Sequence, residues 1–165
     1  MDVMSKSYSN KDVEKIVGIP PRRIQFYTES GLIKLEEEMP GRGRERRYTT
    51  QNLFEFLIIK ELYRYKVALS SIKKLLVERP TKSPESHNVF KFEYVKKRIA
   101  IQKNKPRKIL YCIISDDSGN LFFHNQMFAN GSENSIEINL ENRASLLIIS
   151  LNHLANKLDL LINKL

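Results

Sequence analysis

Residues 9–48 read SNKDVEKIVGIPPRRIQFYTESGLIKLEEEMPGRGRERRY, and the breaks in this stretch decide the fold. Ser9 or Asn10 can cap a helix whose first turn carries Asp12, a carboxylate suited to the positive end of the helix dipole. Val13, Ile16 and Val17 fall on one face, and the helix stops at Gly18, which can turn left-handed without a Cβ clash. Ile19 is a buried plug in the turn. Proline suits a first helical position, so a second helix opens at Pro21 and runs to a stop at Gly31. Ile24 with Tyr27 or Thr28 faces inward by spacing, while Arg22, Arg23 and Gln25 lie outward near the helix start. A helix that presents its N-terminal side chains in this way is what major-groove reading by a helix-turn-helix requires.

Beyond Gly31 come the apolar run at 32–35, three glutamates and the turn-rich PGRGR at 40–44. Two extended flanks around a glycine-bearing tip read as a hairpin, or wing. Arg42, Arg44, Arg46 and Arg47 crowd it, and Tyr48 closes it. A charge run is usually a solvated face. Beside a candidate reading helix, arginine forks on a hairpin are also suited to phosphate oxygens or the minor groove.

Thr49 or Thr50 caps a long helix with Leu53, Phe54, Leu57, Ile58, Leu62 and Tyr65 on a broad apolar face, and Phe56, Ile59 and Tyr63 to its side. Ser70 caps a shorter helix with Ile72, Leu75 and Leu76 inside, which ends near Arg79 and Pro80.

These residues resemble the MerR family of transcriptional regulators, whose DNA-binding domain runs helix-turn-helix, wing, then two further helices. The resemblance rests on Ile19-Pro20-Pro21, Phe26-Tyr27, Gly31-Leu32-Ile33, Arg46 with Tyr48, and the segment Val67-Ala68-Leu69-Ser70-Ser71-Ile72. Glu14, Gln25 and Gly43-Arg44-Glu45 depart from the family pattern. The resemblance implies that Arg22, Arg23, Arg46 and Tyr27 are the main DNA contacts, with Arg42, Arg44 and Tyr48 as wing support. For Tyr27 two readings stay open, since an aromatic on a short helix also serves as core. Gln25 and Arg47 complete the expected DNA-binding set.

The remainder is less distinctive. The chain carries 28 basic against 19 acidic residues, a net +9, which favours a polyanionic partner without naming one. Residues 80–88, PTKSPESHN, read as a linker, and residues 89–103 alternate between strand and helix spacing, with the strand preferred here. Apolar runs at 109–115 and 121–126 flank DDSGN, a hairpin signal, and 136–140 offers a third strand. Phe90, Phe92, Tyr94, Tyr111, Phe122, Phe123 and Phe128 supply an ordinary core or line an apolar ligand pocket. The final segment, 141–165, reads as a helix in which Leu147, Leu151, Leu154, Leu158, Leu161 and Leu165 alternate steps of four and three, the seam of a coiled coil. MerR-like regulators pair through such a helix, which points the seam toward a second copy.

The expected fold class is therefore α+β: a mostly α winged helix-turn-helix domain at 1–79, a linker at 80–88, a small antiparallel β-containing domain at 89–140 and a dimerisation helix at 141–165. The expected function is a sequence-specific transcriptional regulator that binds double-stranded DNA as a homodimer on a two-fold operator. RNA polymerase at a promoter is the further partner such a regulator would meet. The alternative is an architectural or segregation protein that uses the same module without promoter control. No nucleophile-base pair, metal cluster or phosphate loop stands out, so neither an enzyme, a metal nor a cofactor is expected. The lone Cys112, in ILYCII, reads as a buried hydrophobe. The segment MDVMSKSYSNKD lacks a signal-like apolar run, so a cytoplasmic protein that does not enter a membrane is expected, and its effector is not readable.

Overall fold

A computed structural model of the chain describes residues 6–35, 46–77, 90–101, 107–115, 121–129 and 145–164. Most of these are helical, and the helix-turn-helix lies N-terminal. Contacts divide the chain into two compact units, Met1–Glu78 with Asn156–Leu165, and Arg79–Ala155. Among the described residues no helix is long and apolar enough to cross a membrane.

The first unit is built on two matching helix starts. Helix α1 (Asn10–Val17) begins with a capping box in which the Ser9 hydroxyl accepts from the Asp12 N–H and the Asp12 carboxylate accepts from the Ser9 N–H. Helix α3 (Thr50–Arg64) begins the same way with Thr49 and Asn52, so Thr49 and not Thr50 is the cap. The residue before each cap is a tyrosine, and Tyr8 and Tyr48 exchange backbone hydrogen bonds of 2.8 and 2.9 Å as an isolated antiparallel bridge. The two helix starts are thereby stitched side by side.

Helix α2 (Pro21–Glu29) starts with proline at its first position, and α4 (Leu69–Leu76) follows α3. Of α3's residues, Phe54, Phe56, Ile58, Ile59 and Leu62 are all buried, so this helix is the pillar of the unit rather than a one-sided amphipathic element. Phe56 and Ile59, expected at the side, are fully enclosed, whereas Tyr65 is exposed because α3 has ended by that point. Helix α4 starts at Leu69 after Ala68, with no side-chain cap, so the expected Ser70 cap is corrected: Ser70 already lies inside the first turn. Leu76 is only half-buried.

Two expectations for the C-terminal half are overturned. Residues 92–101 form a helix, α5 (Phe92–Ile101), not a strand. Phe92 and Val95, three apart, are both buried while Glu93 and Lys97 are exposed, so helical spacing prevails over the alternation of aromatics. The helix expected across 141–165 begins only at Leu151. Ser145–Ser150, SLLIIS, is instead a strand, β3, and α6 (Leu151–Ile162) follows it directly. The Ile-rich run fits a strand, and the Ser150 hydroxyl accepts from the His153 N–H at 3.3 Å, an N-cap that ends the strand and starts the helix.

Strand β1 (Arg107–Ser115) is central in the three-stranded order β2-β1-β3. It pairs antiparallel with β2 (Leu121–Ala129), from Arg107 opposite Ala129 to Ser115 opposite Leu121. On its other edge it pairs antiparallel with β3, from Leu110 opposite Ser150 to Ser115 opposite Ser145. The third strand expected at 136–140 lies outside the described residues.

Candidate nucleic-acid interface

The position of α2 is set by what ends the helices around it. Gly18 closes α1 at φ 68°, where a side chain is disfavoured, and its N–H donates to Glu14 O at 2.8 Å. Lys60 of α3 reaches the same end, its Nζ donating to Val17 O at 2.6 Å and Gly18 O at 3.3 Å. A Cβ on residue 18 would meet that ammonium at 3.1 Å, so glycine is needed for the turn and for the approach alike. Lys73 of α4 donates to Ser30 O at 2.7 Å just beyond the end of α2. Each helix of the pair thus has its negative end met by a lysine from the supporting helices, which favours the dipole as well as the hydrogen bonds. Neither lysine stood out in the sequence, because the pairings span 43 positions.

Seated in this way, α2 buries Ile24, Tyr27 and Thr28 and exposes Arg22, Arg23, Gln25, Phe26 and Glu29. The aromatic pair is divided between the two faces. Tyr27 is buried at 4% exposure, with its ring 6.5 Å from Phe56, and burial pushes its phenol pKa up. Phe26 stands 52% exposed. Of the two readings open for Tyr27, its burial supports core, and Phe26 is the member of the pair that stands on the outer face. Arg23 extends over the ring of Tyr63, 5.1 Å from its centroid, a cation–π contact that carries the surface from α2 onto the end of α3.

The chain is tied to the core just before residue 36 and just after residue 46, with residues 36–45 outside the described residues. Asn52 Nδ2 donates to Lys34 O at 2.9 Å on one side, and the Tyr8–Tyr48 bridge holds the other. Tyr48 is fully buried, edge-on to Phe56, with its hydroxyl 3.2 Å from the Thr28 hydroxyl. It supports the arm from inside and offers nothing to DNA, a second correction, since a buried phenol cannot reach a phosphate. Arg46 is partly exposed and donates to Glu29 Oε1 at 2.9 Å, and Arg47 is exposed. Arg42 and Arg44 lie outside the described residues.

Carboxylates temper this basic surface. The Ser9 N–H and hydroxyl hold the Asp12 carboxyl below the usual aspartate range, with Arg47 and Lys15 adding to the effect. Hydrogen bonds from Gln25 and then Arg46 hold the Glu29 carboxyl below the usual glutamate range.

The leucine seam is distributed differently from a zipper. Leu147 belongs to β3, so the seam is broken at its first member. Leu151, Leu154 and Leu158 are buried within the single chain, Leu161 is half-buried, and Leu165 lies outside the described residues. Leu160, off the seam, is 64% exposed. Among the described residues no three His, Cys, Asp or Glu side chains gather as a metal site.

The family model of MerR HTH family regulatory proteins matches residues 8–78, a span that takes in α1 to α4 and the whole of this surface. No curated protein matches the chain.

Proposed function

From the match of residues 8–78 to the family model of MerR HTH regulatory proteins, we propose that the protein is a MerR-type, sequence-specific DNA-binding transcription regulator that acts as a homodimer on a two-fold operator. The observation that carries the reading is the outer face of α2. Arg22, Arg23, Gln25 and Phe26 are all exposed on one short helix whose inner face is locked into the core, with Arg46 and Arg47 on the adjoining arm.

In this reading α2 enters a major groove. Arginine offers a bidentate fork to guanine, glutamine does the same for adenine, and an aromatic edge suits a thymine methyl. Arg46 and Arg47 meet phosphates beside the groove and set the register. Two copies would place two such helices about one DNA turn, roughly 34 Å, apart. The contact between copies is proposed at the C-terminal end of α6, where Leu160 is open and Leu161 half-open. Leu151, Leu154 and Leu158 serve the chain's own core. At a promoter the bound dimer would meet RNA polymerase.

Footprinting of the purified protein on promoter DNA tests the reading, with a two-fold protected site as the expected result. Arg22→Ala is expected to weaken binding by about 1–3 kcal/mol at matched salt and to relax preference at one base position. Unchanged affinity and an unchanged base profile would remove α2 from the groove.

A further inference from the structure

One carboxylate oxygen on the outer face of α2 serves two donors. Glu29 Oε1 accepts from Gln25 Nε2 at 2.8 Å and from Arg46 Nη2 at 2.9 Å. Gln25 lies one helical turn earlier on α2, and Arg46 comes from the arm, 17 positions away in sequence. An anion on a surface that faces a polyanion is repelled by it, so Glu29 gains nothing from DNA directly.

Its value lies in what it holds. A glutamine amide has two N–H donors and one carbonyl, so a bond to Glu29 leaves one N–H and the carbonyl for a base edge. Those are the two groups that adenine N7 and N6 require. Arginine has five donors in a rigid fork, so one bond to Glu29 leaves others for a phosphate while removing the freedom of a long side chain. Because both donors share a single acceptor atom, the base reader and the phosphate binder are presented together.

We infer that Glu29 is the positioning residue of this interface: it makes no DNA contact itself and fixes Gln25 toward a base edge and Arg46 toward a phosphate as one unit. The inference rests on the DNA-reading assignment above. It makes the register of the arm on the backbone depend on the base step read by α2.

Two variants separate positioning from charge. Glu29→Ala removes both the charge and the acceptor. Glu29→Gln removes the charge but keeps a carbonyl oxygen able to accept from both donors. Full-length protein is used to enrich a pool of randomised duplexes, and affinities are then measured for the enriched duplex and each of its single-base variants. Each variant removes a negative charge near phosphates, which should add the same favourable term to the affinity for every duplex, on top of any change at a single base position. Glu29→Ala alone should lose discrimination at one base position per half-site, by roughly fivefold or more, the equivalent of losing one bidentate base contact. Glu29→Gln should keep that discrimination within about twofold of the wild type, because its acceptor remains. A base profile is a ratio, so a smaller folded fraction does not alter it. A wild-type profile in Glu29→Ala, or equal relaxation in both variants, overturns the inference alone. Failure of the wild-type protein to enrich any sequence overturns the DNA-reading assignment and the positioning role with it.

Discussion

Helices α2 and α6 are both short, one opened by a proline and the other capped by the Ser150 hydroxyl, and opposite in the use they make of their side chains. Helix α2 buries three residues and leaves arginines, a glutamine and a phenylalanine in solvent. Helix α6 carries the stronger apolar stripe, yet Leu151, Leu154, Ala155 and Leu158 are enclosed by the chain itself. A leucine heptad is thus not evidence of a partner until the chain's own demand for core is met. An exposed phenylalanine on a polar helix is the more informative signal, because burial is what an aromatic gains from folding and Phe26 forgoes it.

The contrast can be broken most directly at α6. Leu158→Ala should destabilise the protein by about 2–5 kcal/mol in chemical denaturation at any protein concentration, whereas Leu160→Ala, on the face proposed for the second copy, should cost less and only in proportion to the dimer it weakens, so that its effect varies with protein concentration. Equal effects would mean that the stripe is not spent inside the chain.

At α2 the pair Phe26 and Tyr48 sharpens it. Phe26→Ala should weaken DNA binding by about 1 kcal/mol or more and leave the unfolding midpoint nearly unchanged. Tyr48→Phe, which deletes the hydroxyl beside Thr28, should cost about 0.5–1.5 kcal/mol of stability and leave affinity for DNA intact. The reverse assignment would return Tyr48 to the DNA surface.

The smallest effect lies in the caps. Ser9→Ala and Ser150→Ala should each cost about 1 kcal/mol at neutral pH. Only the first should depend on acid. The folded-state pKa of Asp12 is lowered, so its contribution is present above the unfolded value of about 3.9 and is lost as pH falls through the folded value. The first turn of α6 carries no acidic residue, so the Ser150→Ala difference should hold across the same range. Denaturation curves at several pH values distinguish the two.

How well each feature could be read from the sequence follows the range of the interaction behind it. The start of α1 at Ser9, its stop at Gly18 and the opening of α2 at Pro21 were readable because caps and prolines act within a few residues. Arg22, Arg23 and Gln25 on the outer face of α2 followed from spacing alone. Spacing did not separate Phe26 from Tyr27, since neighbours on a helix differ by about 100° and both are aromatic. The family resemblance alone makes Tyr48 a wing contact, and the neighbours that make it core, Tyr8, Thr28 and Phe56, are not adjacent to it in sequence. Residues 145–150 read as part of a helix begun at 141 because Leu147 keeps the four-and-three spacing of the leucines in α6. Their pairing with β1, thirty to forty positions away, is what makes them a strand.

By itself the sequence determined the helix starts and stops of residues 9–31 and which polar side chains lie on the outer face of α2, while the wing read at 36–45 lies outside the described residues. Each of these is a local matter of backbone stereochemistry, capping and charge. Tertiary structure alone decided which aromatic faces outward, which arginine is met by Glu29, which lysines close the two helix ends and that three seam leucines belong to the core of one chain. Those outcomes depend on groups far apart in sequence, and burial is settled only when the folded chain brings them together.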